Sequence, residues 1–308
     1  MRFWLPPRGG NLASVRRETA VLCSAFVPTL LRRALEIYAT RIPYHRGKWR
    51  VVELGLRVVG ADGEDDFVDG RTMDIVRDGI KWRIGTTCAV QRRLYWHGGF
   101  EMHEVHALLD GLRPGNVFFD VGSYFGYYAM LAAKRGARAY AFEPVQANFE
   151  MLAVHKDLNA FDDLHVFRAA VSDQAGAVFF EEPNAGNRGT GHLTGAAGRR
   201  AVQVDAVTLD AFMDDQRIER LDAVKIDVEG AELKVLAGAS ATLTKFHPML
   251  LVELNPPCLE RFGANETVLL STLRDLGYDM FRARKNGLEK YVGLLPYEEF
   301  TNIICVRR

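Results

Sequence analysis

The stretch VFFDVGSYFGYY, Val117 to Tyr128, decides how the chain is read. An apolar run ends in Asp120 and Gly122; three residues later comes Gly126, and then GYYAMLAAKRG, which has the pattern of a helix. A hydrophobic strand that ends in an acid and a glycine turn and opens into a helix is how doubly wound α/β sheets hold nucleotide-like ligands. VFFDV shows no period-two alternation, as expected of a strand covered on both faces.

Working outward, further strand candidates are ARAYAFE (137–143), LHVFRAAV (164–171), DAVKIDV (222–228), PMLLVEL (248–254), YDMFRA (278–283) and TNIICV (301–306). The helical stretches QANFEMLAVHKDLNA, ELKVLAGASATLTKF and ETVLLSTLRDLG fall among them. Alternating strands and helices predict a Rossmann-like, mostly parallel sheet with helices on both faces. The segment Phe179 to Thr208, rich in Gly and Asn, breaks the rhythm and reads as a mobile loop across the sheet edge. Loops of that length in a compact domain are usually functional or disordered. Upstream, residues 1 to about 48 read as helical. WRVVELGLRVV and MDIVRDGIKWRIG read as antiparallel strands with turns at GADGEDD and DG, and Val90 to Leu112 reads as helical. The expected division is an N-terminal extension over residues 1–75 and a main domain over 76–308.

The chain has 308 residues, 48% of them hydrophobic, with a formal net charge of zero, which is the composition of an ordinary globular protein and argues against a dedicated nucleic-acid binder. The charge is uneven. Residues 1–50 carry ten Lys or Arg and two Glu, a balance that suits an anionic partner or peripheral contact with a membrane surface as well as a plain solvated face. AVLCSAFVPTLL, Ala20 to Leu31, is interrupted by Pro28 and is too short for the ~20 apolar residues of a membrane span. It reads as a helix packed on the body, with an interfacial helix as the minority reading. Four widely spaced cysteines, Cys23, Cys88, Cys258 and Cys305, read as thiols of a reducing compartment, so a cytoplasmic location is expected and a zinc site is not.

The glycine loop chooses between cofactors. A dinucleotide fingerprint would place its second glycine, where backbone approaches a pyrophosphate, at Tyr124. Tyrosine there crowds a diphosphate, and Asp120 repels one. S-adenosylmethionine has no phosphate, and its ammonium group is attracted by a carboxylate. Glu143, 21 residues after Gly122, ends the second strand, where an acid accepts hydrogen bonds from both ribose hydroxyls.

VFFDVGSYFGYY, AFEPVQANFEML, AAVSD, VTLDAF and VKIDVEGAELKVLAGA together resemble the FkbM-type S-adenosylmethionine-dependent methyltransferases, from about Trp82 to the C-terminus. The most specific piece is KIDVEGAE, Lys225 to Glu232. The resemblance implies a class I fold on a seven-stranded sheet and methylation of hydroxyl oxygens on sugars, glycolipids and other natural products. It also implies that Asp120, Gly122, Ser123, Tyr124 and Gly126 form the cofactor loop and that Glu143 takes the ribose. Asn148 orders the next helix, Val171 and Ser172 meet the adenine, and Glu101 matches a recurrent acid after an aromatic. Many relatives have Ala-Asn where this chain has Ser123-Tyr124.

Methyl transfer to an alcohol needs alignment and removal of the hydroxyl proton. Asp227, at the end of the fourth strand, is the first candidate for base or substrate positioner and also for contact with the cofactor; Glu229 is second. Asp227 also reads as a helix N-cap. Glu253, ending the fifth strand, and His192, in the Gly-rich segment, are candidates for substrate contact. Asp227, Glu229 and Glu253 suit a divalent cation chemically, but nothing in their spacing demands one. Asn-Pro-Pro (255–257) follows the fifth strand, not the fourth, and reads as a strand-stopping turn rather than an amino-methyltransferase signature. Tyr95, Trp96 and Phe100 read as core or as a pocket wall. The rival readings are a nicotinamide-dependent oxidoreductase, a cofactor-binding protein without turnover, and a nucleic-acid methyltransferase. The favoured partner is a small-molecule or glycan- or lipid-linked hydroxyl compound.

Overall fold

The computed structural model describes residues 30–42, 47–59, 70–181, 191–194, 201–293, 296 and 299–307. In chain order its strands are β1 (Thr72–Arg77), β2 (Ile80–Gly85), β3 (Val117–Val121), β4 (Arg138–Phe142), β5 (Leu164–Phe167), β6 (Ala170–Val171), β7 (Gly176–Glu181), β8 (His192–Thr194), β9 (Ala201–Val207), β10 (Ala223–Ile226), β11 (Met249–Leu254), β12 (Tyr278–Arg284), β13 (Gly287–Lys290) and β14 (Thr301–Arg307).

The main sheet has the order β13-β12-β14-β11-β10-β3-β4-β5. Strands β5, β4, β3, β10 and β11 are mutually parallel, and β14 enters antiparallel between β11 and β12. The expected mostly parallel α/β sheet is present, with eight strands rather than seven: β12 turns back at Lys285–Asn286 and adds β13 as an exposed edge hairpin. All five residues of β3 are buried, and apolar clusters lie on each side of the sheet, one containing Phe118 and the other Phe119. Successive strand residues point to opposite faces, so one strand feeds both cores.

Several expected elements differ. LHVFRAAV is not one strand. It breaks at Arg168–Ala169 into β5, in the main sheet, and β6, which pairs with β9 in a second sheet of order β6-β9-β7-β8. The segment expected to be a loop therefore contains an antiparallel β-structure, with Phe180, Leu193, Val204 and Ala206 forming a small core of their own. Its Gly- and Asn-rich residues 182–190 and 195–200 lie outside the described residues. WRVVELGLRVV is helical over Lys48–Val58, because Val52 and Leu56 at four-residue spacing give it a buried stripe that outweighs the strand preference of its valines. MDIVRDGIKWRIG forms the expected hairpin of β1 and β2. The helical reading of Val90 to Leu112 resolves into helices Ala89–His97 and Met102–Leu109. ELKVLAGASATLTKF divides into Glu232–Ala237 and Ser240–Phe246. Asn-Pro-Pro stops β11 and also starts a short helix, Pro256–Glu260. AVLCSAFVPTLL lies outside the described residues up to residue 29, as do Cys23 and all of GADGEDD. Among the described residues no helix is long and apolar enough to cross a membrane.

Upstream of the sheet, buried Lys48 donates to the carbonyls of Ala39 (2.8 Å) and Ile42 (2.5 Å), closing the end of a helix over residues 30–41 onto helix Lys48–Val58. The β1–β2 hairpin is tied to the main domain by His155, whose Nδ1 is 2.9 Å from the Phe125 carbonyl oxygen and whose Nε2 is 2.8 Å from that of Arg83.

Candidate active site

At the carboxyl edge of the main sheet a cavity of about 430 Å³ runs from β4 and β6, past β3 and β10, to β11 and the start of β14. That size lies within the ~300–1,000 Å³ typical of small-molecule sites, and the edge is where doubly wound sheets bind ligands.

The glycine loop forms its floor. Gly122 has φ +78°, and a Cβ there would lie 1.8 Å from the Asp227 carbonyl oxygen, so only glycine lets the loop after β3 pass the end of β10. Gly126 has φ +87° and holds the loop against Leu152, but does not reach the cavity. Ser123 lines the cavity and donates its hydroxyl to the Phe142 carbonyl (3.1 Å). Tyr124 takes a left-handed φ of +51°, and its hydroxyl is tied to Cys88 Sγ (2.8 Å) and Gln91 Nε2 (3.0 Å), anchoring the loop to the start of helix Ala89–His97.

Glu143 follows β4 and is buried in the cavity wall. Its Oε2 accepts from Tyr124 N–H (2.8 Å), and its Oε1 accepts from Val145 N–H (2.9 Å) and from the Asn148 side-chain amide (3.3 Å). Burial pushes its carboxyl up to about 7 against these hydrogen bonds. Oε2 accepts one N–H of the two its lone pairs allow, which leaves it able to receive a hydroxyl from the cavity. Ala170 and Val171 line the wall nearby. Ser172 does not; its hydroxyl is spent on Asp173 (2.9 Å).

A charge cluster lies where the floor meets β10, with Lys225 and Asp227 on the cavity lining. Lys225 Nζ stands 3.0 Å from Asp227 Oδ2 and 3.9 Å from Asp120 Oδ1, and donates to the Gly122 carbonyl (3.3 Å). Burial alone would lower the Lys225 ammonium, but Asp227, Asp120 and Glu101 outweigh it and hold it above the usual lysine range. Asp120 sits behind the wall rather than on it. Its Oδ2 accepts from Ala129 N–H (2.9 Å), and burial raises the carboxyl to about 6 against the pull of Lys225. The sequence reading placed Asp120 against the cofactor's ammonium; the structure gives it the lysine as its cation.

The opposite end of the cavity is acidic. Asp227 and Glu229 follow β10. The next helix begins at Glu232, so Asp227 is not its cap, and it is Glu232 that accepts the N–H groups of Val228 (3.2 Å) and Gly230 (3.1 Å). Glu229, at φ +55°, accepts from the Cys258 thiol (3.3 Å); burial and the neighbouring Asp227 charge push it up to about 7. Glu253 on β11 is buried and lines the cavity. Burial, then the charges of Asp227, Glu229 and Glu232, hold its carboxyl well above the usual carboxylate range. Glu101 receives the Tyr128 hydroxyl (2.8 Å) and is raised chiefly by burial. Among the described residues no group of His, Cys, Asp and Glu is arranged to hold a metal ion.

Of the residues singled out in the sequence, Glu101, Gly122, Ser123, Tyr124, Glu143, Val171, Asp227, Glu229 and Glu253 share this one cavity. His192 does not: along β8 the neighbouring Gly191 and Leu193 line the cavity, and strand alternation turns His192 away. Phe100 is on the wall, whereas Tyr95 and Trp96 pack edge-to-face in the core with ring centroids 4.8 Å apart. The sequence reading missed Glu104, Phe300 and Asn302. Phe300 and Asn302 arrive only because β14 inserts beside β11, opposing Asn302 to Glu253.

The residues present fit S-adenosylmethionine: a buried carboxylate with remaining acceptor capacity for ribose, an apolar wall of Ala170 and Val171, and a loop with no glycine where a pyrophosphate would need one. The Methyltransferase FkbM domain matches residues 120–280. Among curated proteins, the hexuronic acid methyltransferase AglP of Haloferax volcanii is 28% identical over 155 residues, covering 50% of this chain and 62% of AglP. A tRNA (guanine(37)-N(1))-methyltransferase of Leishmania major is 27% identical over 226 residues, covering 70% of this chain and 31% of that protein. The 2-O-methyltransferase NoeI of Sinorhizobium fredii is 26% identical over 150 residues, covering 43% of this chain and 61% of NoeI. The chain thus spans less than two thirds of the length of each of these relatives. On the match across the sheet and its glycine loop, the chain belongs to the FkbM family of class I, S-adenosylmethionine-dependent methyltransferases.

Proposed function

We propose that the protein is an O-methyltransferase acting on a hydroxyl of a sugar, glycolipid or secondary metabolite. The observation that carries this reading is the sharing of one cavity by Glu143 at the end of β4 and the Asp227–Glu229 pair after β10. The names of AglP and NoeI, a hexuronic acid and a 2-O-methyltransferase, support it. The tRNA methyltransferase is matched over less than a third of its length, and a zero net charge with an acid-lined cavity favours a small hydroxylated acceptor over a polyanion.

When bound, S-adenosylmethionine supplies an electrophilic methyl carbon on a positively charged sulfur. Glu143 orients the ribose, the loop 122–126 closes round the cofactor, and Val171 packs against the adenine. Asp227 has one oxygen engaged by Lys225, which suits it to hold and position groups rather than to take a proton. Glu229, raised to about 7, has the basicity that general-base catalysis favours near neutral pH, and receives the proton of the acceptor hydroxyl. Residues 1–75 belong, in this reading, to an extension that serves the acceptor side; residue 75 itself lies within β1.

The test is calorimetric titration with S-adenosylhomocysteine, with NAD as comparison and Glu143→Ala as control, followed by transfer of a labelled methyl group to hydroxylated acceptors by the wild type and by Asp227→Asn and Glu229→Gln. Homocysteine-product binding that is lost in Glu143→Ala and absent for NAD supports the reading. NAD binding, or full activity in both carboxylate variants, refutes it.

A further inference from the structure

The acceptor end of the cavity is built from few chemical types. Glu101, Glu104, Asp227, Glu229 and Glu253 supply its acidic groups. Lys225 is turned to Asp227, Asp120 and a backbone carbonyl. Arg93, an exposed residue of helix Ala89–His97, also lines the cavity. Glu253 is 9% exposed, and its Oε2 has no hydrogen-bond partner among the described residues. A buried polar atom left unpaired is costly, so a ligand that pairs with it gains accordingly. Beside it, across the β11–β14 pairing, lie Asn302 and then Phe300, which is 63% exposed although it lines the cavity. An aromatic ring kept open to solvent at a cavity mouth, next to hydrogen-bonding side chains, offers an apolar platform beside polar contacts.

Resting on the methyltransferase reading, we propose that this end of the cavity selects an uncharged sugar: Glu253 and Asn302 hold its hydroxyls, Phe300 covers the C–H face of the ring, and the acidic lining turns away uronic acids and sugar phosphates. An anionic acceptor brought among these groups meets the charge of Asp227 with little solvent to screen it, and the Lys225 ammonium at this site already serves two carboxylates. A neutral polyol carries hydroxyls that can both donate to the acids and accept from them.

The experiment is saturation-transfer NMR on the protein loaded with S-adenosylhomocysteine, using a panel of methyl hexosides, the matching methyl hexuronides and the hexose 6-phosphates. Hexoside binding at least about tenfold tighter than that of the charged partners is expected, about 1.4 kcal/mol of discrimination. Glu253→Leu and Phe300→Ala should each weaken hexoside binding by about tenfold while product binding persists, and Glu253→Gln should keep most of it, because the neutral amide retains the hydrogen bonding. Equal or tighter uronide binding, no hexoside binding, or unchanged binding in Glu253→Leu and Phe300→Ala overturns the proposal. Loss of product binding in the wild type would instead count against the methyltransferase reading. The hexoside and uronide comparison on the unloaded protein then decides the sugar-selective cavity by itself.

Discussion

Lys225 on β10 and Asp227 just after it meet at 3.0 Å, and the same ammonium lies 3.9 Å from Asp120. One buried ammonium therefore joins the strand that carries the cofactor loop to the strand that carries the proposed chemistry. A buried charge is tolerable only while its partners are present.

Replacing the lysine by an apolar side chain of similar length tests that dependence. Lys225→Met leaves Asp120 buried without its cation and should lower stability by about 3–5 kcal/mol. Urea unfolding would show it as a lower midpoint, and product binding should weaken along with it.

Gly122→Ala attacks the same junction sterically. The new Cβ would need the space of the Asp227 carbonyl oxygen, and the backbone would keep a positive φ. A loss of at least about 2 kcal/mol of stability is expected, together with loss of S-adenosylhomocysteine binding by calorimetry.

The pH dependence of turnover follows from Glu229. Its carboxyl is raised, first by burial and then by the Asp227 charge, to about 7. A base works only when deprotonated, so the rate of methyl transfer should fall as pH drops through about 7 and level off above it. Rates of wild type and Glu229→Gln from pH 5.5 to 9 check this: the variant should be slow and lack that limb.

Tyr124→Phe removes only the hydroxyl bound to Cys88 and Gln91. Thermal unfolding should report a loss of about 1 kcal/mol. Product affinity should fall severalfold, because the loop loses its tie to helix Ala89–His97.

Much of this was legible in the sequence because local chemistry dictates it. VFFDV can only be a strand buried on both faces, and an acid and glycine after it define a ligand edge. Glu143, Asp227 and Glu229 then follow from strand order. What was not legible depends on partners distant in the chain. Lys48–Val58 is rich in valine, and only the buried stripe of Val52 and Leu56 makes it a helix. The break between β5 and β6 exists because β9, over thirty residues later, offers Ala170 and Val171 a second sheet. Phe300 and Asn302 reach the cavity through β14, whose insertion between β11 and β12 leaves no local signal. Asp120 was read by its position alone, yet the side chain of Lys225 decides which cation it meets.

The His155 bridge has a consequence for how this architecture can vary. Both ring nitrogens face carbonyl oxygens, one in the hairpin strand β2 and the other, at Phe125, in the loop that precedes Gly126, and burial keeps the imidazole below its usual pKa. A neutral imidazole donates through one nitrogen only. The stitch is thus a choice between hairpin and loop, made by a single proton. A chain shortened to begin beyond β2 would lose one of the two claimants, the Arg83 carbonyl, and the loop would keep the proton for itself. The upstream hairpin therefore acts as a counterweight to the glycine loop, and grafting a different leader onto this sheet would retune the loop without altering any residue in it.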